Sequence, residues 1–359
     1  YMPAVLEAQY SGVPLIILSA DRPHTLQHVG APQTVDQQKI FGTAVNYYEE
    51  LAVPQQEHYY TYPRLVARKA YMKSMDVKRG PVHINVPLFE PLVPELDRRH
   101  FECGRQPFSV VPAAIQPGDV CTIYDLLANK KVLILAGPST NLEDADAILG
   151  LSNIFHAPIL GYPVSNMRRV YDERVITSYD ALLSQEVYRD TLRPDCMLQI
   201  GQMVVSKRVQ QWVASMQHIP IISVSPTMDY TNPAGNTTLF VQSTPQGLVD
   251  ALNMEISELH VMANEVHAEV ANEELNTSDN GYLATWIDAD GVGRKQLDTV
   301  AREQELFEGY TIHLLQELLP KNSQLVVANS MSIRDMDYFW SGNRHSAIIY
   351  GNRGVTGIA

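Results

Sequence analysis

Short apolar runs recur along this chain at residues 13–18, 82–87, 131–137, 157–160, 196–201, 219–224, 324–328 and 347–350, with helix-like stretches between many of them. No other feature restricts the fold as much. Runs of this length, rich in Val, Ile and Leu and continuous rather than alternating, are what strands buried on both faces of a parallel sheet look like. The intervening segments 63–77, 120–128, 142–151, 179–186 and 206–216 carry helical spacing or caps. Strands separated by helices of these lengths imply an α/β chain with doubly wound parallel sheets.

The punctuation divides the chain further. Residues 88–118 hold prolines at 91, 94, 107, 112 and 117 with little periodicity, which reads as a linker. A long acidic, helix-prone stretch at 251–274 is followed by the break Asn276-Thr277-Ser278-Asp279-Asn280-Gly281. The expected organisation is therefore a first α/β portion at 1–100, a linker at 101–118, a middle α/β domain at 119–275 and a third portion at 276–359. Residues 39–51 give mixed signals and receive no assignment. The chain begins at Tyr1 inside a helical segment and stops at Ala359 directly after a strand-end loop. Both ends are expected to cut through a domain.

Charge and composition exclude several classes. A formal net charge of -13 argues against a nucleic-acid or anionic-membrane partner, since both call for clustered Lys and Arg. Cys103, Cys121 and Cys196 stand far apart, without the spacing of a zinc site or a disulfide framework. No apolar run approaches the roughly 18 to 20 residues of a membrane span, and no signal peptide is visible at the start. A cytoplasmic protein is expected.

In an acidic chain, basic residues at strand and helix ends are the candidate anion sites. The run 13–18 is stopped by Asp21-Arg22-Pro23, where the proline disfavours helical backbone at Arg22. That leaves Arg22 at the carboxyl end of a central strand, where open α/β sheets place ligands. Ser206 reads as a helix N-cap that sets Lys207 and Arg208 in the first turn, against the helix dipole; a bound anion would relieve the conflict. Ser330 is expected to cap another helix, with Arg334 four residues on along the same side. Arg353 follows the run 347–350. For each, the alternative is a solvated surface charge. The turns Gly137-Pro138-Ser139-Thr140 and Gly201-Gln202 lack a phosphate-loop pattern and read as plain strand-to-helix turns. His83, in the run 82–87, reads as a packed histidine rather than a catalyst.

The string Asp21-Arg22-Pro23-His24, then Gly30-Ala31-Pro32-Gln33 and Asp36-Gln37, resembles the Pyr-domain loop of the MenD family of thiamine-diphosphate (ThDP) synthases. Asn329-Ser330-Met331-Ser332-Ile333-Arg334-Asp335 resembles the family's first βα turn in its PP domain. The resemblance implies three doubly wound parallel-sheet domains of the ThDP-enzyme type (Pyr, middle and PP), the first and last truncated here. It implies ThDP and Mg²⁺ (or Mn²⁺) as cofactors, and as substrates 2-oxoglutarate and isochorismate, which carry two carboxylates each. Guanidinium groups suit such substrates because they bind carboxylates through paired, charge-assisted hydrogen bonds.

By the same resemblance, Arg22 and Gln33 face isochorismate and Lys207 and Arg208 reach substrate carboxylates. Ser330 and Arg334 hold the succinyl carboxylate, Arg353 a further substrate carboxylate, and Ile358 packs near the thiazolium ring. The activating glutamate is expected before Tyr1 and the metal-diphosphate motif after Ala359, so no catalytic or metal residue is assigned within the chain and the chain alone is expected to be inactive. Thr25, Ser332 and Ala359 depart from the residues usual in the family. A homodimer or homotetramer is implied. The alternatives are another ThDP-dependent 2-oxoacid decarboxylase or carboligase, and a catalytically dead carboxylate-binding paralogue.

Overall fold

The computed structural model describes residues 1–53, 61–90, 92, 115, 117–139, 141–227, 231–265, 281–303, 307–342 and 347–352. The chain forms two compact units, one of residues 1–112 with 352–359 and one of residues 113–351.

In the first unit, helix α1 (Met2–Tyr10) leads into strand β1 (Leu15–Asp21). A 3₁₀ turn (Gly42–Ala44) and strand β2 (Tyr47–Glu50) occupy the segment left unassigned from sequence. Helix α2 (Thr61–Ser74) and strand β3 (Pro81–Pro87) follow. The three strands make a parallel sheet in the order β1-β3-β2. The central strand β3 is buried along nearly its whole length, and Val82 and Ile84 pack with Val66 and Ala70 of α2. Strand β1 departs from expectation on two counts. It lies at the edge among the described residues, and its burial alternates, leaving Leu18 68% exposed. The Val/Ile/Leu-rich sequence looked like a strand covered on both faces; here one face is open.

The second unit is built on a six-stranded, wholly parallel sheet. Helix α3 (Pro117–Leu127), strand β4 (Val132–Ala136), helix α4 (Asp144–Phe155), strand β5 (Ile159–Gly161) and strand β6 (Val175–Ile176) come first. Then follow helices α5 (Tyr179–Leu182) and α6 (Glu186–Thr191), strand β7 (Cys196–Ile200), helix α7 (Lys207–Ala214), strands β8 (Ile221–Ser225) and β9 (Leu239–Gln242), and helix α8 (Pro245–Glu265). Sheet order is β6-β5-β4-β7-β8-β9. The chain thus winds outward from β4 and returns beside it at β7, the doubly wound pattern expected.

Alternate residues of each central strand feed two cores. Ile134, Leu198 and Ile222 pack with α3, α4 and α8, while Leu133, Leu135, Met197 and Ile221 face α7 and the elements that follow. Those elements are helices α9 (Tyr282–Glu303) and α10 (Glu308–Leu318), strand β10 (Gln324–Val327), helix α11 (Met331–Phe339) and strand β11 (Ile348–Gly351). β10 and β11 form a separate parallel pair. Trp286 of α9, Met336 of α11 and Ile349 of β11 share one core with Leu133 and Met197 of the large sheet.

Local sequence readings shift in three places. The segment 179–186, expected as one helix, is two short helices, α5 and α6, joined through 183–185. Helix α4 starts at Asp144, two residues later than expected. Asn141 and Ser139 instead bind the Asp144 carboxylate, at 2.8 and 2.6 Å. The described part of α8 begins at Pro245, six residues before the expected helix start, and residues 266–280 lie outside the described residues.

Candidate functional site

In the first unit, polar side chains converge at the carboxyl ends of β1, β2 and β3. Asp21, which ends β1, is buried and accepts from the Arg22 backbone N–H at 2.7 Å, Gln27 Nε2 at 3.1 Å and Asn85 Nδ2 at 2.8 Å. Asn85 Nδ2 also donates to Glu50 at 3.0 Å, and His24 Nε2 lies 3.1 Å from the other Glu50 oxygen. Burial, with Glu50 nearby, pushes the Tyr48 phenol up to about 12, so it stays protonated and donates to that carboxylate at 3.4 Å.

Arg22 leaves the strand at this cluster. Its Nε is buried and has no hydrogen-bond partner among the described residues. A buried unpaired donor of a charged group is costly, on the order of 1–3 kcal/mol or more, and an acceptor supplied by a ligand would remove that cost. Gln33 is exposed and holds a left-handed backbone at φ 59°.

In the second unit, α7 begins as expected: the Ser206 hydroxyl accepts from Val209 N–H at 3.1 Å. Lys207 and Arg208 follow in the first turn, both exposed. The anion that answers them is internal. Arg208 pairs with Asp180 of α5 and reaches the hydroxyl of Tyr338 of α11. Arg334 lies one turn before Tyr338 on α11, so Arg208 and Arg334 come to one helix. Arg334 is exposed, with Nη1 3.8 Å from Met331 Sδ.

Ser330 stands at the start of α11, but its side chain does not cap the helix. Its backbone, at φ 67° and ψ -124°, is a conformation that side-chain-bearing residues seldom adopt. Of the residues singled out from sequence, Gln33 and Ser330 both carry positive φ, and such outliers tend to mark functional positions. Arg353 and Ile358 lie outside the described residues.

Beside the Arg208 cluster is a second pair that sequence did not reveal. Arg168, from the 3₁₀ turn Met167–Arg169, is buried and donates to Asp337 Oδ1 at 2.6 Å, to the carbonyls of Asp337 and Trp340, and to that of Gly161. Tyr179 donates to the same Asp337 oxygen at 2.6 Å. Burial pushes the Asp337 carboxyl up to about 6, against the pull of Arg168. The pair binds α11 to the large sheet. Arg168 and Asp337 are too far apart in sequence for spacing to connect them.

The two turns read as plain connections fill the sheet's switch point themselves. A Cβ at Gly137 would stand 1.8 Å from the Gln202 carbonyl oxygen, so backbone closes on backbone there. Among the described residues no group of three or more His, Cys, Asp or Glu is placed to hold a metal ion.

No family model matches the chain. Curated relatives do. The 2-succinyl-5-enolpyruvyl-6-hydroxy-3-cyclohexene-1-carboxylate synthases of Lactococcus lactis subsp. cremoris strain SK11 and subsp. lactis strain IL1403 are 40% and 42% identical over 362 and 365 residues. That of Desulfitobacterium hafniense strain DCB-2 is 36% identical over 361 residues. Each alignment takes in 100% of this chain and 61% of the relative. Over its whole length the chain is a homologue of the 2-succinyl-5-enolpyruvyl-6-hydroxy-3-cyclohexene-1-carboxylate synthases, and it spans about three-fifths of theirs.

Proposed function

We propose that this chain is part of a ThDP-dependent synthase that decarboxylates 2-oxoglutarate and adds the remaining succinic semialdehyde unit to isochorismate, a step of menaquinone biosynthesis. The observation that carries the reading is the 36–42% identity to synthases of that name along the entire chain. The placement of cationic and amide side chains supports it. Arg22 brings to a strand end a guanidinium nitrogen without a partner among the described residues, and Arg208 reaches Tyr338 of α11, the helix that carries Arg334. Substrates with two carboxylates each call for such donors.

In this reading Arg22 and Gln33 face isochorismate, Lys207 and Arg208 take a substrate carboxylate, Ser330 and Arg334 hold the succinyl carboxylate, and Arg353 binds a further one. The partition is a Pyr portion at 1–100, a middle domain at 119–275 and the start of a PP domain at 276–359.

When bound, ThDP with Mg²⁺ or Mn²⁺ supplies the electron sink for decarboxylation. In this reading the chain's own contribution is to bind and orient carboxylates. Ile358 would pack near the thiazolium ring. The activating glutamate and the diphosphate-metal motif are proposed to lie outside these 359 residues, leaving the chain by itself inactive. The assembled enzyme is proposed to be a cytoplasmic homodimer or homotetramer. No helix among the described residues is long and apolar enough to cross a membrane.

Donor choice tests the reading. With ThDP and Mg²⁺, the full-length gene product should release CO₂ from 2-oxoglutarate at least about tenfold faster than from pyruvate, since a guanidinium left without its carboxylate forfeits about 1.4 kcal/mol or more. Equal rates, or a preference for pyruvate, would instead indicate a different 2-oxoacid decarboxylase. No release from any 2-oxoacid would indicate a dead paralogue.

A further inference from the structure

Arg208 already holds a carboxylate, and that carboxylate belongs to the protein. Its Nη1 donates to Asp180 Oδ2 and to the Tyr338 hydroxyl. The same hydroxyl donates to Asp180 Oδ2 at 2.5 Å, and the other Asp180 oxygen accepts from the Ser206 hydroxyl. Elements α5, α7 and α11 thus meet on one carboxylate. The anion is nearly buried and the cation is not: side-chain exposure is 10% for Asp180 and 46% for Arg208. Burial pushes the Tyr338 phenol up to about 12, reinforced by Asp180, so it remains a donor to the carboxylate while accepting from Arg208.

A guanidinium presents five N–H donors on three nitrogens, and every contact recorded for Arg208 among the described residues is made through Nη1. An arginine on a flexible stem loses rotamer entropy when a ligand fixes it. Here that ordering is in place beforehand.

We infer that Asp180 and Tyr338 are positioning residues that clamp Arg208 through Nη1 and so present its remaining donors as a fixed fork to a substrate carboxylate. The identity of that carboxylate rests on the synthase reading; the clamp does not. The arrangement also sets selectivity. Lys207 and Arg208 bring two positive charges and Asp180 removes one, which weakens the hold on a small anion lacking carboxylate geometry while leaving the fork intact. Neutralising Asp180 should therefore move two quantities in opposite directions, which loss of structure alone would not do.

The test compares wild type, Asp180→Asn and Tyr338→Phe in the full-length protein. Asparagine keeps the size of Asp180 and an oxygen for Ser206 while removing the charge. Sulfate is the binding probe, titrated by calorimetry, with Arg208→Met to subtract sulfate bound elsewhere. Asp180→Asn should bind sulfate about two- to fivefold more tightly, the scale of a partly exposed ion pair. The same variant should lose about tenfold or more in kcat for product formation from 2-oxoglutarate and isochorismate, as misplacement of a substrate-orienting group does. Tyr338→Phe, which keeps the ion pair, should lower kcat with sulfate affinity unchanged.

Weaker sulfate binding by Asp180→Asn at an unchanged thermal midpoint, or a kcat in both variants equal to that of wild type, would overturn the clamp. If Asp180→Asn fails to fold, the same judgement falls to Tyr338→Phe. If wild type makes no product from these substrates, the synthase reading fails, and the sulfate titration still decides the clamp.

Discussion

His83 has a single neutral tautomer open to it. Its Nε2 lies 2.7 Å from Ser19 Oγ, and Ser19 spends its own proton on Asn85 Oδ1, also at 2.7 Å. Ser19 must then accept from His83, which places the proton on Nε2 and leaves Nδ1 a bare lone pair. Nδ1 is buried without a partner among the described residues, in a ring flanked by Phe41 and Tyr48 at centroid distances of 4.9 and 5.2 Å. Protonation would bury a charged N–H with no acceptor, and burial accordingly pulls the His83 pKa below its ordinary value. An unfolded chain takes up that proton near the usual value of about 6.5 while the folded chain does not, so stability falls as pH drops below that value. Urea titrations at about pH 7 and pH 5.5 should show wild type losing stability on acidification, by at most about 1.4 kcal/mol per pH unit from this residue. His83→Gln should lose less. An identical pH dependence in the variant would contradict the assignment. The sequence reading of His83 as a packed residue agrees with its surroundings. Its bond to Ser19 was not legible, because that contact depends on strand register, Ile17 being paired with His83 across β1 and β3.

At the scale of elements, α11 is the piece whose attachment matters most, since it carries Arg334 and Tyr338 and starts at Ser330. Apolar packing through Ile333 and Met336 is joined by the buried Arg168–Asp337 pair. Removing one partner of such a pair leaves an uncompensated buried charge and costs about 3–5 kcal/mol. Asp337→Asn should therefore lower unfolding free energy by that amount, and combining it with Arg168→Met should cost clearly less than the sum of the single changes. Denaturant titration of the four proteins gives the coupling; strict additivity, or a cost below about 1 kcal/mol for Asp337→Asn, would show that the pair does not hold the helix.

The elements that could be read from sequence were those whose environment repeats along the strand. β4 and β7 are buried at every position and sit inside continuous apolar runs. β1 looked the same in sequence, yet its open face shows only once its neighbours are known. The Ser206 cap was legible because the capping bond spans three residues. The Arg168–Asp337 pair and the Asp180 clamp join residues from distant parts of the chain, where local spacing carries no signal. Ser330 differs in another way: a good capping residue is present, but its backbone is unusual and its side chain makes no capping bond.

For the molecule as a whole, the open face of β1, with Ile16 and Leu18, and the exposed Leu65, Tyr71 and Met72 of α2, with Met75 just after it, leave large apolar side chains on the surface of the first unit. The self-association proposed above would cover such surface. The two lines of support for the proposed reaction meet at Arg22, which lies in the loop that resembles the family and carries a buried nitrogen without a partner among the described residues. The proposed activity can be read in one reaction: the full-length gene product is incubated with 2-oxoglutarate, isochorismate, ThDP and Mg²⁺ and the product is identified by mass spectrometry. The expected product is 2-succinyl-5-enolpyruvyl-6-hydroxy-3-cyclohexene-1-carboxylate, formed with one CO₂ released per product. Release of CO₂ from 2-oxoglutarate while isochorismate remains unconsumed would contradict it.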